Sequence, residues 1–561
     1  MDYYKDRNQG SYYGGPLPLI PNGSGNNHSE SPQPSSGRPQ FGAGGPPPGV
    51  GGPPPGAGGP PPGVGGSPPG AGGPPPGAGG PPRGAGGPPP GVGGVENNPL
   101  YFRPVGDLMT KFAIPSIIGM LVGSLYNMVD QLFIGRSVGP LGNAATSIAF
   151  PFSTLCLAFA LLFGIGGASA FNLTLGMGNR EKAPYFIGNS LSVMTIVGAV
   201  ISVITLIFLD PLLHVFGSSP AILPYAKEYV RIIALGFPLL IISTAGGHIM
   251  RADGSPHMTM ISSITGAVLN TIFDALFVFG LGWGMKGAAL ATVLGQGVSA
   301  AMVLIYCTNY KTVPLRKEHI IPDFDVVRRI AVIGMASFFN QLANAVVQIV
   351  MNNSLKHYGG LSKYGSDEPI AVAGIVMKVS MIVFSIVIGL AQGTQPIESF
   401  NYGAKNYYRV KQAYYMAVKI GAVVVITAFV CFQIFPKQII GFFGKGSENY
   451  YELGAKFFRI FLFFTWFNCL QPITSTFFTS IGKSFKGMFL SLTRQIIFYM
   501  PFLIILPIFL GIDGILFSGA IADLMAGITA ILMVRSEFRT MDKLEAIHDF
   551  ESLPKFYPKR R

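Results

Sequence analysis

Between residues 105 and 536 the chain alternates long apolar runs with short segments of glycine, proline and charged residues. A bilayer core is about 30 Å thick and a helix rises about 1.5 Å per residue, so one crossing needs about 20 mostly apolar residues. Twelve runs of that kind are present, centred near residues 123, 157, 197, 238, 270, 298, 341, 384, 422, 466, 498 and 525. The pattern predicts an all-α polytopic membrane protein with twelve transmembrane helices. Residues 1–98 follow the opposite pattern. From Gly44 to Val92 a seven-residue unit recurs, GGPPPGV and GGPPPGA with the variants GGSPPGA and GGPPRGA. Proline removes amide donors and glycine raises backbone entropy, so neither helix nor sheet is expected there. The PPP triplets break the every-third-glycine rule of collagen. A disordered cytoplasmic tail with local polyproline-II character follows, either a bare low-complexity extension or a ligand for an SH3- or WW-type partner.

Composition sharpens that picture. Only 12% of the 561 residues are charged, 49% are hydrophobic, and mean hydropathy is +0.44. A soluble chain carries about a quarter charged residues, whereas lipid-facing surface needs almost none. The net charge of +13 does not imply nucleic acid, because the basic residues fall in short clusters between apolar runs rather than in one patch. Cys156, Cys307, Cys431 and Cys469 are far apart and form no CxxC pair, which supports neither a disulfide framework nor a zinc site. No short apolar segment of the secretory type stands at the N-terminus.

Lysine and arginine set the expected orientation. With the first helix entering from the cytoplasm, the even loops carry Arg180, Lys182, Arg251, Lys311, Arg316, Lys317, Arg328, Arg329, Lys405, Arg409, Lys411, Lys483 and Lys486. The odd loops carry fewer, and the chain ends in Lys559, Arg560 and Arg561. The bias puts both termini in the cytoplasm.

The two halves also echo each other. SIAFPFS…GIGGASAFNLTLGMGN (147–179) aligns with GIVMKVS…AQGTQPIESFNYGAKN (374–406) at a shift of 227, and Gly254 matches Gly482 at nearly the same offset. Six helices separate equivalent positions, so both halves insert with the same orientation. This predicts parallel-repeat six-helix bundles at 105–312 and 327–536, related by a pseudo-two-fold along the membrane normal around a central cavity. A cytoplasmic loop (313–326) joins them and a basic cytoplasmic tail (537–561) follows.

Ionisable residues at membrane depth cost several kcal/mol unless paired, hydrated or neutralised, about 3 on insertion scales. The first predicted helix holds Asp130, with Asn127 one turn earlier and Tyr126 at i−4; Pro115 lies further up and permits a bend. The fifth holds Asn270 and Asp274, four apart on one face. Two carboxylates facing one low-dielectric pocket cannot both ionise cheaply, so the pair is expected to take up a proton, or with the two amides a sodium ion. The seventh holds Asn340, Gln341, Asn344 and Gln348 but no acid, and the eighth holds Lys378, Gln392, Gln395 and Glu398. Gln341, Gln348, Gln392 and Gln395, with Tyr126, are candidates to line a substrate cavity. Arg494 and Asp523 lie in the last two helices, where they either serve the site or simply pair with each other; His248 is a candidate for proton sensitivity. No Walker A loop, H-E-x-x-H, G-x-S-x-G or metal-spaced histidine set is present, so no cofactor beyond H+ or Na+ is expected and neither a primary pump nor an enzyme is indicated.

The segments IPSIIGMLVGSLYNMVDQLFIGRSVG (114–139), FGIGGASAFNLTLGMGN (163–179), 250–292, GLAQGTQPIESFNYGAKN (389–406) and LTRQIIFYMP (492–501) resemble the multidrug and toxic compound extrusion (MATE) family, in its DinF/MepA-like branch. The resemblance covers nearly all of 105–540. It implies two six-helix bundles with alternating access and export of organic cations against inward H+ or Na+. The family's ion-site acid in the first helix falls on Asp130, its fifth-helix pair on Asn270 and Asp274, and its bending proline on Pro115. The NorM-like branch carries a glutamate in the seventh helix that is missing here, so a sodium site in the C-terminal bundle is not implied. Two other functions fit parts of the chain. One is a lipid-linked saccharide flippase of the wider superfamily, although such proteins tend to have extra helices and a basic cavity. The other is a non-transporting scaffold that displays the proline-rich tail. The bilayer and small organic cations are the expected partners, the plasma membrane the expected location.

Overall fold

The computed structural model of the protein describes residues 95–365, 367–443 and 447–552. All but the last four residues of the tail expected over 1–98 lie outside this range. The described residues form helices joined by short turns, with no strand among them. Ten helices are long and apolar enough to cross a membrane, and two further pairs, each bent at a short break, bring the total to twelve. The chain is a multi-pass membrane protein.

The spans are α1 (Val105–Ser137), α2 (Pro140–Gly176), α3 (Ala183–Ile207), α4 (Leu223–Leu235 and Phe237–Ala252), α5 (Pro256–Gly280) and α6 (Gly284–Thr308). The second bundle holds α7 (Phe324–Gly360), α8 (Asp367–Gly403), α9 (Tyr407–Ile434), α10 (Glu448–Phe461 and Thr465–Ser480), α11 (Ser484–Leu510) and α12 (Ile512–Ser552). Hydropathy merges the halves of α4 and α10 into single runs; the structure bends them by 56° and 44°. Their first halves are amphipathic and follow α3 and α9, at the end of the bundles away from the start of α1 and α7.

The backbone repeats where the sequence does. The turns before α5 and α11 hold Gly254 (φ 77°) and Gly482 (φ 76°). The turn after α2 holds Gly178 (φ 81°), and its counterpart after α8 holds Lys405 (φ 59°), the one non-glycine residue of positive φ among those described. A lysine bears a cost of about 1–2 kcal/mol there, so the turn geometry is imposed by the bundle rather than chosen by the residue.

The bundles meet at one end of the membrane. One apolar core runs through the N-terminal bundle and on into Leu390, Phe400, Tyr414, Phe477 and Phe538 of the other. A second, with Met351, Val376, Phe458 and Leu516, stays within the C-terminal bundle at the opposite end. Gly334 of α7 lets that helix lie directly against the Leu162 carbonyl of α2, where a Cβ would collide. The joined end is the one where α1 and α7 begin, so the space between the bundles opens towards the other face.

Residues 95–103 cross this seam. After a turn at Val95–Asn97 and a short helix at Pro99–Phe102, the Leu100 carbonyl accepts from Asn401 Nδ2 (3.0 Å) and Arg409 Nη2 (3.1 Å), and the Arg103 carbonyl from Arg409 Nη2 (2.5 Å). The entry to the N-terminal bundle is thus tied to α8 and α9 of the other. Arg409→Ala removes two of these three bonds; amide exchange at residues 100–104 is expected to quicken about 10-fold, with α5 unchanged, by hydrogen-exchange mass spectrometry.

Two expected boundaries move. Helix α12 runs beyond residue 536 to Ser552 because its charges there are paired. Buried Glu537 binds Lys483 and Lys486, and Lys411 binds Asp542 (2.6 Å) and Glu545 (2.9 Å). The connection before α7 spans 309–323, and α7 begins at Phe324, capped by Asp323 Oδ1, which accepts from Asp325 N (2.8 Å). Asn189 of α3 pins this connection, donating to the His319 carbonyl (3.1 Å) and accepting from Asp323 N (2.6 Å).

Candidate functional site

The N-terminal bundle closes round two carboxylates. Asp130 of α1 is half-buried and Asp274 of α5 is fully buried, and the two carboxyl groups share a hydrogen bond. With its amide turned to suit its neighbours, Asn270 donates to Asp274 Oδ2 (3.1 Å) and accepts from Thr292 N of α6 (3.1 Å). Tyr229, from the outer half of α4, hydrogen-bonds Thr292, and the Tyr229 and Tyr126 rings stand close enough to feel both carboxylates. Helix α5 widens into a π-helix at Ala275–Gly280, immediately after Asp274; such turns recur at functional sites. Oδ1 of Asp130 and Oδ1 of Asp274 are buried without a hydrogen-bond partner. Two carboxyl groups can share a hydrogen bond only when one of them holds a proton, so the arrangement has the chemistry to take one up.

The structure sorts the residues expected at the site. Asp130, Asn270, Asp274 and Tyr126 come together. Asn127 does not join them: it is exposed, and its amide donates to the Gly123 carbonyl of its own helix (2.7 Å). Pro115 is buried inside α1, which passes through it as one helix. Tyr229 and Thr292 were not expected. A tyrosine beside Lys227 and a threonine in a glycine-rich helix carry no sequence signal of their own.

The C-terminal bundle is built differently. Arg494 Nε donates to Asp523 Oδ1 at 2.7 Å within the π-helical stretch Thr493–Tyr499 of α11, and Asn468 also bonds Asp523. Gln495 donates to Asn344 (2.5 Å). A guanidinium already occupies this carboxylate. Gln341 is half-buried on α7, and Gln348 is exposed and donates to Asn352 (3.1 Å). Lys378 is exposed. Asp523→Ala leaves Arg494 partly buried without its partner and is expected to cost about 2 kcal/mol, whereas Asp523→Leu with Arg494→Met costs less than half as much. Thermal melting of the purified protein in detergent checks both.

Gln392 and Gln395, expected to line the cavity, are instead buried in the seam between bundles. Arg251 of α4 donates to Gln392 Oε1 (3.0 Å) and shares a hydrogen bond with His248 Nδ1 (2.9 Å). Gln395 Nε2 donates to Ser169 Oγ of α2 (2.7 Å). All five side chains are buried, and no carboxylate pairs with Arg251 among the described residues. Glu398, one turn further along α8, is buried against Ser480.

Two six-helix bundles joined at one end, with an acidic pair inside one of them, define a membrane transporter rather than an enzyme. The sequence model of the MatE family matches residues 115–276 and 336–505, and the chain belongs to that family of multidrug efflux transporters. It is 25% identical over 452 residues to the multidrug export protein MepA of Staphylococcus haemolyticus (strain JCSC1435), covering 78% of this chain and 96% of that one. Its fold is similar to that of a multidrug resistance MATE family transporter solved in an outward-facing conformation (TM-score 0.74, 24% identity, 80% of this chain and 99% of that chain). It is also similar to a MATE protein solved in a straight conformation (TM-score 0.74, 24% identity, 81% and 99%).

Proposed function

We propose that the protein exports amphipathic organic cations in exchange for protons that enter through the Asp130–Asp274 pair. The observation that carries this reading is the shared hydrogen bond between two carboxyl groups held inside a bundle that offers them no cationic side chain. In the state described, the space between bundles opens away from the end where α1 begins, the end that is cytoplasmic on the positive-inside reading. Proton uptake from outside neutralises the pair, lets α1 repack about Pro115 against α5, and expels a bound organic cation. Closure of the outer face and opening of the seam then carry the proton inward, and the restored negative charge draws the next cation from the cytoplasm. The departure of Asn127 from the pair leaves Asp130, Asn270, Asp274, Thr292, Tyr126 and Tyr229 as the ion-coupling set.

Sodium is the second reading, favoured by the two partnerless Oδ1 atoms and by Asn270, a donor set of the hard-oxygen type that alkali ions prefer. Dye efflux from vesicles under separately imposed gradients decides between them. Efflux driven by a pH gradient in sodium-free buffer supports the proton; efflux driven only by sodium replaces it; efflux driven by neither overturns coupled export. The same assay with residues 1–98 deleted separates transport from tail-dependent scaffolding, and full activity is expected.

A further inference from the structure

At the membrane face opposite the termini each bundle turns a corner through a short helix, Leu209–Val215 in the first and Pro436–Phe443 in the second. The corners have the same plan but opposite charge. The second residue of the first corner helix is Asp210, which binds Lys227 of α4 at 2.8 Å. The second residue of the other corner helix is Lys437, facing Lys456 of α10. A cation stands where the repeat has an acid.

The consequence is a cavity of about 270 Å³ lined by Lys437, Lys456 and Arg459, with Glu452, Ala455 and Ile460. Its one carboxylate is engaged mainly by others, since Glu452 accepts from Lys363 Nζ (2.6 Å) and from the Tyr364 hydroxyl (3.0 Å); Lys456 makes only long ion pairs, at 3.6 Å to Glu452 and 4.0 Å to Asp513. Lys437 and Arg459 are exposed and form no ion pair among the described residues. Beside the cavity, Ile434 and Phe435 at the end of α9 and Phe463 at the bend of α10 are about half exposed, an apolar flank next to a cationic head site.

Three positive charges within one pocket repel one another, and an anion carrying several acceptor oxygens relieves all three at once. An anionic phospholipid offers such an anion in its headgroup phosphate, with acyl chains that can lie along the apolar flank. The long lysine and arginine stems can reach the headgroup level from the side of the helix. We propose that the C-terminal bundle holds one anionic phospholipid here, its phosphate between Lys437, Lys456 and Arg459 and its chains against Ile434, Phe435 and Phe463. Bound at the outer half of α10, the lipid braces the segment that precedes the 44° bend. The N-terminal bundle, with Asp210 in place, holds none at its own corner.

The test uses the full-length protein in detergent, titrated with phosphatidylglycerol, with phosphatidylcholine or with inorganic phosphate, and read by native mass spectrometry and by melting temperature. Phosphatidylglycerol is expected to remain bound at one copy and to raise the melting temperature, with the other two giving no more than a third of the shift. Lys437→Asp recreates the acid–lysine pair of the first bundle, so the corner keeps a stable partner, and lipid retention is expected to fall about 10-fold. Arg459→Gln is a second, uncharged variant with the same expected loss. Wild-type retention by both variants overturns the site, an equal shift from inorganic phosphate reduces it to a simple anion pocket, and an equal shift from phosphatidylcholine overturns the charge argument.

Discussion

Asp130→Asn is expected to reduce gradient-driven efflux by at least about 100-fold while the purified protein melts at or above the wild-type temperature. The substitution keeps the shape of the side chain and its capacity to bond Asp274 but removes the group that loads and releases a proton. A single remaining carboxyl at Asp274 is fully buried, bonded to Asn270 and no longer opposed by a second charge. It therefore loses the repulsion that expels one negative charge from the pair, and with it the switching between neutral and charged pocket. Stability moves the other way, because an amide at membrane depth avoids the cost of an ionised carboxylate, about 3 kcal/mol on insertion scales. Asp274→Asn is expected to match it, and the double variant to be no worse than either single one, since the two residues act as one unit. Dye efflux and proton uptake measured in the same vesicles report both halves of the exchange. Wild-type rates from Asp130→Asn under a pH gradient would place the coupling site elsewhere.

Much of this architecture was legible because lipid imposes a simple rule. Every span must be apolar for about 20 residues, and an acid inside one stands out. Hence the twelve runs, the repeat, and Asp130, Asn270 and Asp274 could be read from local pattern. What escaped depends on contacts between distant residues. Asn127 sits three residues from Asp130, close enough by spacing, yet its amide turns back to Gly123. Tyr229 joins the pair only because α4 bends at Gly236, a break that averaged hydropathy hides. Gln392 and Gln395 read as cavity residues because polar side chains in a span suggest water; their partners are Arg251, His248 and Ser169 of the other bundle. The end of α12 read as a tail because it is charged, and it is helical because Lys411, Lys483 and Lys486 meet those charges.

The two bundles divide the work through the same residues. The first holds Asp130 and Asp274 without an ion pair among the described residues, whereas the second satisfies Asp523 with Arg494. A guanidinium cannot leave as a proton or sodium ion can, so the Arg494–Asp523 pair carries no exchangeable charge. Under the proposed coupling, ion-dependent movement begins in α1 and α5 and has to reach the seam to matter. That seam includes α1 itself, which packs closely against Gly389 and Gly393 of α8 through Ile117 and Ala113. A change in α1 at Asp130 therefore reaches the contact with the other bundle along one continuous helix, about four to five turns away.

The polar part of that seam sets how firmly the joined end stays shut. Arg251 is a buried cation whose bonds are to neutral partners, Gln392 and His248, and its Nε has no partner. A charge held this way closes the bundles less tightly than an ion pair would, which suits a contact that has to break on every cycle. Arg251→Ala leaves Gln392 and His248 without a bond that water could supply once the bundles part. It is expected to shift the equilibrium towards the inward-open state about 10-fold, an order typical of coupling energies of 1–3 kcal/mol. Gln392→Glu acts in the opposite sense, since a carboxylate facing Arg251 converts a neutral bond into a buried ion pair and is expected to hold the seam closed and cut efflux at least about 10-fold. The measurement is labelling of Ser169→Cys by a membrane-impermeant thiol reagent applied from the cytoplasmic side, in a background where Cys156, Cys307, Cys431 and Cys469 are replaced. Arg251→Ala should quicken labelling and Gln392→Glu should slow it. Equal rates in all three proteins would show that the apolar contacts alone keep the seam shut.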